Sequence, residues 1–268
     1  MRDRVADPST GDRGEVLYGI HPILEALRGR SRVVERILVA RERGGANLGR
    51  LLKMARETGI PVSYLPREVL ARKAGARALH QGVVALVSAL PYADPDQLCQ
   101  EAASLPDGLL LALDRIQDPQ NLGALVRTAA AAGAHGILLG SEGGVGLTPT
   151  VAKVSAGALE RMPVAREPRL SRRLRSLREK RFRALALEPE SGNPWSEADL
   201  RGRLVIVAGA EGAGLRPGIR DACDASISIP MSAGTESLNV AVSVGVVLFE
   251  AVRQRRTVNT AEISVPRP

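Results

Sequence analysis

The run Leu109-Leu110-Leu111-Ala112-Leu113 has no polar face. A strand with one wet side alternates apolar and polar residues. One without alternation has to be covered on both sides, which is the situation of strands in parallel sheets flanked by helices. Leu204-Val205-Ile206-Val207-Ala208 repeats the pattern almost a hundred residues later. Around these two strands the hydrophobic period switches between helix and strand. Helices are expected at Asn121 to Ala132, Thr148 to Leu159 and Leu170 to Lys180, and strands at Gly136 to Leu139, Pro163 to Ala165 and Arg183 to Leu187. A short strand at Ile227 to Ile229 and an apolar helix from Val240 to Arg255 close the series. The pattern predicts a doubly wound α/β domain over residues 107–256.

A smaller α/β unit over residues 15–90 precedes it. Strands at Val16 to Tyr18, Val34 to Val39, Val62 to Leu65 and Gly82 to Val87 alternate with helices at Pro22 to Arg28, Leu48 to Glu57 and Arg67 to Ala74. Residues 91–106 contain Pro91 and Pro95 and read as a linker carrying a short helix, Pro95 to Ala103. Residues 1–14 have no periodicity and read as a disordered lead, and 257–268 as a loose tail.

The charge balance points to the partner. Thirty-seven Lys+Arg against 29 Asp+Glu give a net charge of +8, which favours a polyanion. Membrane surface is the rival polyanion, but no run of 18 apolar residues exists and Met1 to Gly14 is charged rather than signal-like, so a cytoplasmic protein that makes no membrane contact is expected. Two cysteines, Cys99 and Cys223, encode no disulfide framework. His21, His80 and His135 stand singly, without Cys or carboxylate at ligand spacing, and no metal site is expected. With 2% aromatics, nucleic-acid contact has to rest on charge and shape rather than on base stacking. The densest basic run, Arg169 to Arg181, holds Arg172, Arg173, Arg175, Arg178 and Lys180 against the single acid Glu179. It reads either as a solvated helix face or as a phosphate-contacting one.

Three loops of the larger domain follow strand ends, where open α/β sheets bind ligands. Asp114 to Arg127 contains Pro119, Asn121 and Arg127, and Asn121 reads either as a helix cap or as a site residue. Gly209-Ala210-Glu211-Gly212-Ala213-Gly214 lacks the G-x-G-x-x-G spacing of dinucleotide sites, which disfavours an oxidoreductase. Its glycines still let backbone approach a ligand closely. Ile229 to Val240 places Met231, Glu236, Ser237, Leu238 and Asn239 in a polar, glycine-containing loop that enters a helix apolar nearly all round, so that helix is expected to bury one side on the sheet and the other on a partner chain.

The segments NLGALVRTAAAAG, VAGAEGAGL and IPMSAGTESLNVAVSVGVVLFEAVRQR resemble the three motifs of the TrmH group of SPOUT RNA methyltransferases. LYGIHPILEALR and HQGVVALV narrow the resemblance to RlmB-type 23S rRNA guanosine 2′-O-methyltransferases, and it covers about residues 16 to 256 in order. The resemblance implies a knotted (trefoil) SPOUT methyltransferase domain with a smaller N-terminal, ribosomal-protein-like RNA-binding domain. It implies S-adenosylmethionine as cofactor, held by Gly209, Ala210, Gly214, Ile229, Met231 and Leu238. Asn121, Arg127, Glu211, Ser237 and Asn239 become the catalytic and substrate-positioning set of a homodimer. The implied substrate is a guanosine of the peptidyl-transferase P-loop, with tRNA as rival. Glu236 departs from the pattern of many relatives and resembles the resistance-type branch that methylates rRNA adenosine. The reading from another class is a non-catalytic RNA-binding assembly factor that keeps the fold.

Overall fold

The computed structural model describes residues 15–263 except 30, 43, 76–79, 190, 192 and 233–236, with side chains as far as Arg256. The lead at 1–14 and Glu236 lie outside the described residues. The chain divides into two compact units that meet in sequence at Pro91 and Tyr92.

In the first unit the strands β1 (Glu15–Tyr18), β2 (Val34–Ala40), β3 (Val62–Leu65) and β4 (Val83–Val87) form one sheet in the order β1-β4-β2-β3. Only β2 and β3 run parallel; β4 is antiparallel to both its neighbours. Helices α1 (Ile20–Gly29), α2 (Ala46–Glu57) and α3 (Arg67–Ala74) connect them, and each expected element is present with ends displaced by at most two residues.

The second unit begins before its first strand. Helix α4 (Pro95–Ser104) is capped by Asp94, whose carboxylate accepts from the Asp96 and Gln97 amides, with Pro95 at the first helical position. Its Leu98, Cys99 and Ala102 are buried in the core of this unit, and the Ala93 amide donates to Val164 O at 2.9 Å. The segment expected as a linker is therefore built into the larger unit, because its apolar residues recur at helical spacing and find a sheet face to cover.

Six strands form a wholly parallel sheet in the order β10-β8-β9-β5-β6-β7. They are β5 (Leu109–Leu113), β6 (Gly136–Gly140), β7 (Val164–Glu167), β8 (Arg183–Leu187), β9 (Leu204–Ala208) and β10 (Ala225–Ile227). Every residue of β5 and β9 is buried, as their unbroken apolar runs require. One face of the sheet packs against α4, α7 (Leu170–Glu179) and α8 (Pro217–Arg220); Leu174 and Leu177 of α7, Ile219 of α8 and Leu215 just before it join Leu110, Ala112 and Val205 in one cluster. Helices α5 (Pro119–Ala131), α6 (Pro149–Val154) and α9 (Val240–Ile263) pack together on the other.

Four further expectations need correction. Helix α5 starts at Pro119 and is capped by Asp118, so Asn121 sits inside the first turn and is not the cap. The helix expected from Thr148 to Leu159 stops at Val154, because Ala156 and Gly157 take positive φ (51° and 91°) and a single 3-10 turn follows. The last strand spans Ala225–Ile227, leaving Ile229 in the loop. Helix α9 continues past Arg255 to Ile263, so most of the expected tail is helical. No glycine or proline interrupts Thr257 to Ile263. Arg255 is itself an anchor: its guanidinium donates to the carbonyls of Asp107 and Gly202, both at 2.8 Å, and burial pulls its pKa below the usual guanidinium value.

The motif glycine of α5 is explained by packing. A Cβ at Gly123 would stand 2.6 Å from Val154 Cβ and 3.1 Å from the Val151 carbonyl, so α5 and α6 touch backbone to side chain here. Gly123→Ala should lower stability by about 1–3 kcal/mol through overpacking, despite alanine's better helix propensity. Urea denaturation of the variant checks this, and a stabilised protein would contradict it.

Candidate active site

Because all six strands of the larger sheet are parallel, the loops after β5, β6 and β9 emerge at one end. The β9 loop turns back on itself at once. Gly214 N donates to Ala210 O at 2.9 Å, with Gly212 and Gly214 at φ 76° and 60°. A Cβ at Gly209 would lie 2.3 Å from the Gly214 carbonyl, so only glycine lets the loop close this tightly. The turn leaves Glu211 exposed at its tip.

Asn239 gathers the site. Its Oδ1 accepts from the Ala241 amide at 2.9 Å and the Val242 amide at 3.4 Å, which caps α9. The same side chain donates Nδ2 to Asn121 Oδ1 and to Glu211 Oε1, each at 2.8 Å. Glu211 Oε1 also accepts from the Val240 amide at 3.2 Å, placing a carboxylate at the positive end of the long α9. Side chains from the first turn of α5, the β9 loop and the start of α9 are thereby joined across 118 and 28 residues of sequence. Asn239 thus both caps α9 and bonds the two other side chains. Among the described residues Glu211 Oε2 and Asn121 Nδ2 carry no hydrogen bond, leaving one acceptor and one donor for a substrate hydroxyl.

The other expected residues are placed more loosely. Arg127 lies on α5 six residues beyond Asn121, exposed and outside this hydrogen-bonded group. Ser237 and Leu238 precede Asn239 and are exposed, Leu238 at 37%. Ile229 and Met231 are half-buried, Gly209 is buried and Ala210 and Gly214 are half-buried. A Cβ at Gly212 or Gly214 would meet nothing within 4 Å, so open space flanks the turn. Ile229, Met231 and Leu238 are apolar residues that keep part of their surface exposed.

The model of the SpoU rRNA methylase family matches residues 108–249, the region that carries all three loops. The chain belongs to this family. A second model, RNA 2′-O ribose methyltransferase substrate binding, matches residues 16–93. The chain is 39% identical over 246 residues to an uncharacterized tRNA/rRNA methyltransferase of Mycobacterium ulcerans, covering 92% of this chain and 79% of that one. A Mycobacterium tuberculosis protein of the same description is 39% identical over 245 residues, covering 91% and 76%. Among solved structures, the SpoU methyltransferase AviRb from Streptomyces viridochromogenes superposes with a TM-score of 0.76 at 26% identity, covering 91% of this chain and 90% of that one. AviRb is also known in complex with the cofactor AdoMet. An RNA 2′-O ribose methyltransferase superposes with a TM-score of 0.75 at 28% identity, covering 91% and 89%.

The SpoU-family chain thus has the SPOUT methyltransferase fold with an N-terminal substrate-binding domain, and it is an RNA methyltransferase whose family uses S-adenosylmethionine. No helix among its described residues is long and apolar enough to cross a membrane.

One part of the site was not singled out from the sequence. Asp114, the first residue after β5, is fully buried. Its carboxylate receives Arg216 Nη2 at 2.8 Å, Nε at 3.0 Å and the Arg216 backbone amide at 3.1 Å. This pairing raises the Arg216 pKa further. Arg216 Nη1 pairs in turn with the exposed Glu142 of the loop after β6. That loop also rests on the first, through Val145 N to Ile116 O at 2.7 Å. Asp114 thus ties together the loops after β5, β6 and β9. The available signal was a lone acid closing an apolar strand, which has to find a buried partner.

Arg216→Ala should cost about 3–5 kcal/mol, since it leaves a fully buried carboxylate with Arg115, at 3.7 Å, as its cationic neighbour and without its close guanidinium partner. Glu142→Gln should cost under about 1 kcal/mol, because an exposed pair contributes little. Chemical denaturation of both variants distinguishes a buried anchor from a surface contact, and equal losses would refute the assignment.

Proposed function

We propose that this chain transfers a methyl group from S-adenosylmethionine to the 2′-hydroxyl of a ribose in 23S rRNA, a guanosine of the peptidyl-transferase P-loop. The observation that carries the reading is the junction of Asn121, Glu211 and Asn239 at the sheet end where the glycine turn lies. The substrate-binding match over residues 16–93 supports an RNA ribose as acceptor. A cytoplasmic site of action fits this substrate.

Bound S-adenosylmethionine supplies an electrophilic methyl on a sulfonium. Gly209, Ala210 and Gly214 would hold it through backbone groups, and Ile229, Met231 and Leu238 through apolar contact. The remaining tasks are alignment and removal of the hydroxyl proton. Glu211 Oε2 and Asn121 Nδ2 orient the ribose by accepting from and donating to its hydroxyls, and Ser237 lies beside Asn239 to do the same. Arg127 is the base that the family resemblance favours, yet a guanidinium is a poor proton acceptor. Its role here is that of a cation that stabilises alkoxide character as the hydroxyl proton passes to Glu211 Oε2, the methyl moves from sulfur to the ribose oxygen and S-adenosylhomocysteine leaves.

The reading includes a trefoil threading of the loops at 209–214 and 229–239. Supporting it, the chain runs from β10 at the sheet edge back to α9, packed on β9 and α5. It also includes a homodimer through α9, supported by Val242 and Phe249, apolar and exposed at 51% and 49% one heptad apart. Phe249→Glu should shift the protein from dimer to monomer in light scattering, and an unchanged mass would exclude this face.

Tritiated S-adenosylmethionine with unmodified 23S rRNA should give label at one ribose, whereas label on tRNA alone would overturn the substrate. Arg127→Ala should abolish transfer with cofactor affinity intact. Arg127→Lys should lose about tenfold or more, because a point charge replaces a planar fork. A near-normal single-turnover rate in Arg127→Lys would remove the cationic role.

A further inference from the structure

Helix α7 is the most basic segment of the chain, and the fold divides its arginines into two sets. Leu170, Leu174 and Leu177 face the core. Arg173 flanks them and is consumed by structure: its Nε pairs with Glu167 and its Nη1 with Asp96, both at 2.6 Å. Arg178 pairs with Asp224 at 2.7 Å. Arg169, Arg172 and Arg175 occupy the opposite face, exposed, and their guanidinium groups make no ion pair or hydrogen bond among the described residues. Glu179 is the one acid of the helix and lies at its C-terminal end.

This outward face is unfavourable for the isolated domain. Arg169, Arg172 and Arg175 follow one another at i,i+3, where like charges repel. They stand at the N-terminal half of the helix, where the backbone dipole already places positive charge and no acid occupies the first turn. Packing does not require them, since the leucines bury the helix without their help. The position is equally specific. Helix α7 follows β7, so its first turn lies at the same sheet end as the Asn121, Glu211 and Asn239 junction; a Cβ at Gly140, the last residue of β6, would lie 3.8 Å from Leu170 Cδ2.

We infer that Arg169, Arg172 and Arg175 form a phosphate-binding face that grips the substrate RNA outside the reacting nucleotide. The inference deepens the proposed function and rests on RNA being the substrate. Three guanidinium groups spread along the helix suit a chain of phosphates rather than a single anion.

The test is the triple variant Arg169→Gln/Arg172→Gln/Arg175→Gln, which changes only exposed side chains and should fold as the parent does. Affinity for unmodified 23S rRNA, measured across a salt series, should fall at least tenfold at low salt. The slope of log K against log salt should flatten by about two to three units, at roughly 0.7–0.9 for each of three phosphates that are no longer neutralised. Glu179→Gln should tighten binding. The turnover rate at saturating RNA and the affinity for S-adenosylmethionine should stay at parental values, since the face holds neither cofactor nor ribose. Unchanged affinity and slope in the triple variant would overturn the inference, as would a loss of binding to phosphatidylglycerol vesicles with RNA binding intact. Binding is read without turnover. A parent that binds 23S rRNA through this face but transfers no methyl to it would therefore sink 23S rRNA as the methyl acceptor and leave the phosphate face standing.

Discussion

The Asn239 side chain does two things that a single amide can do only in one orientation. Its oxygen faces the first amides of α9, so its nitrogen faces Asn121 and Glu211. The helix end orients the amide, the oriented amide positions the carboxylate, and the carboxylate gains a further partner in the Val240 amide. A helix of 24 residues whose Val244, Val247 and Leu248 are fully buried gives this arrangement a rigid base. Sites built on such elements hold their geometry better than sites built on loops alone.

Beneath it, Asp114 performs a comparable task at the floor. A fully buried carboxylate is costly unless neutralised and hydrogen-bonded, and Arg216 does both through its side chain and its backbone amide. The loop between β9 and α8 is held at its far end by this pair and at its near end by the closure at Gly209. Glu211 lies between the two. The interior of the larger unit thus limits the freedom of the loops at this sheet end, which is how an exposed residue such as Glu211 stays in register without being packed.

The charge of the chain divides in the same manner. Arg173, Arg178 and Arg255 carry positive charge that the fold uses internally, on Glu167 and Asp96, on Asp224, and on the carbonyls of Leu200, Asp107 and Gly202. Arg169, Arg172 and Arg175 have no such use. Net charge alone does not separate these sets; only the direction in which each side chain leaves its helix does.

Much of the architecture was legible in local pattern, because unbroken apolar runs such as Leu109 to Leu113 are stable only between two layers of helices. The alternation of elements, the position of the glycine turn, and the late entry into an apolar helix all follow from spacing within a few residues. Other features were not legible, and each for a stated reason. The cap of α5 fell to Asp118 because Pro119 can start a helix two residues before Asn121. The segment around α4 joined the larger unit because its apolar stripe meets a sheet face distant in sequence. The pairing of Asp114 with Arg216, across 102 residues, depends on which strands lie side by side. The sequence by itself determined the elements, the family and the residue types at the loops, since these rest on local periodicity and motif. Tertiary structure alone decided that Asn121, Glu211 and Asn239 meet, that Arg127 stands apart from them, and which arginines face outward, because those outcomes depend on strand order and helix rotation.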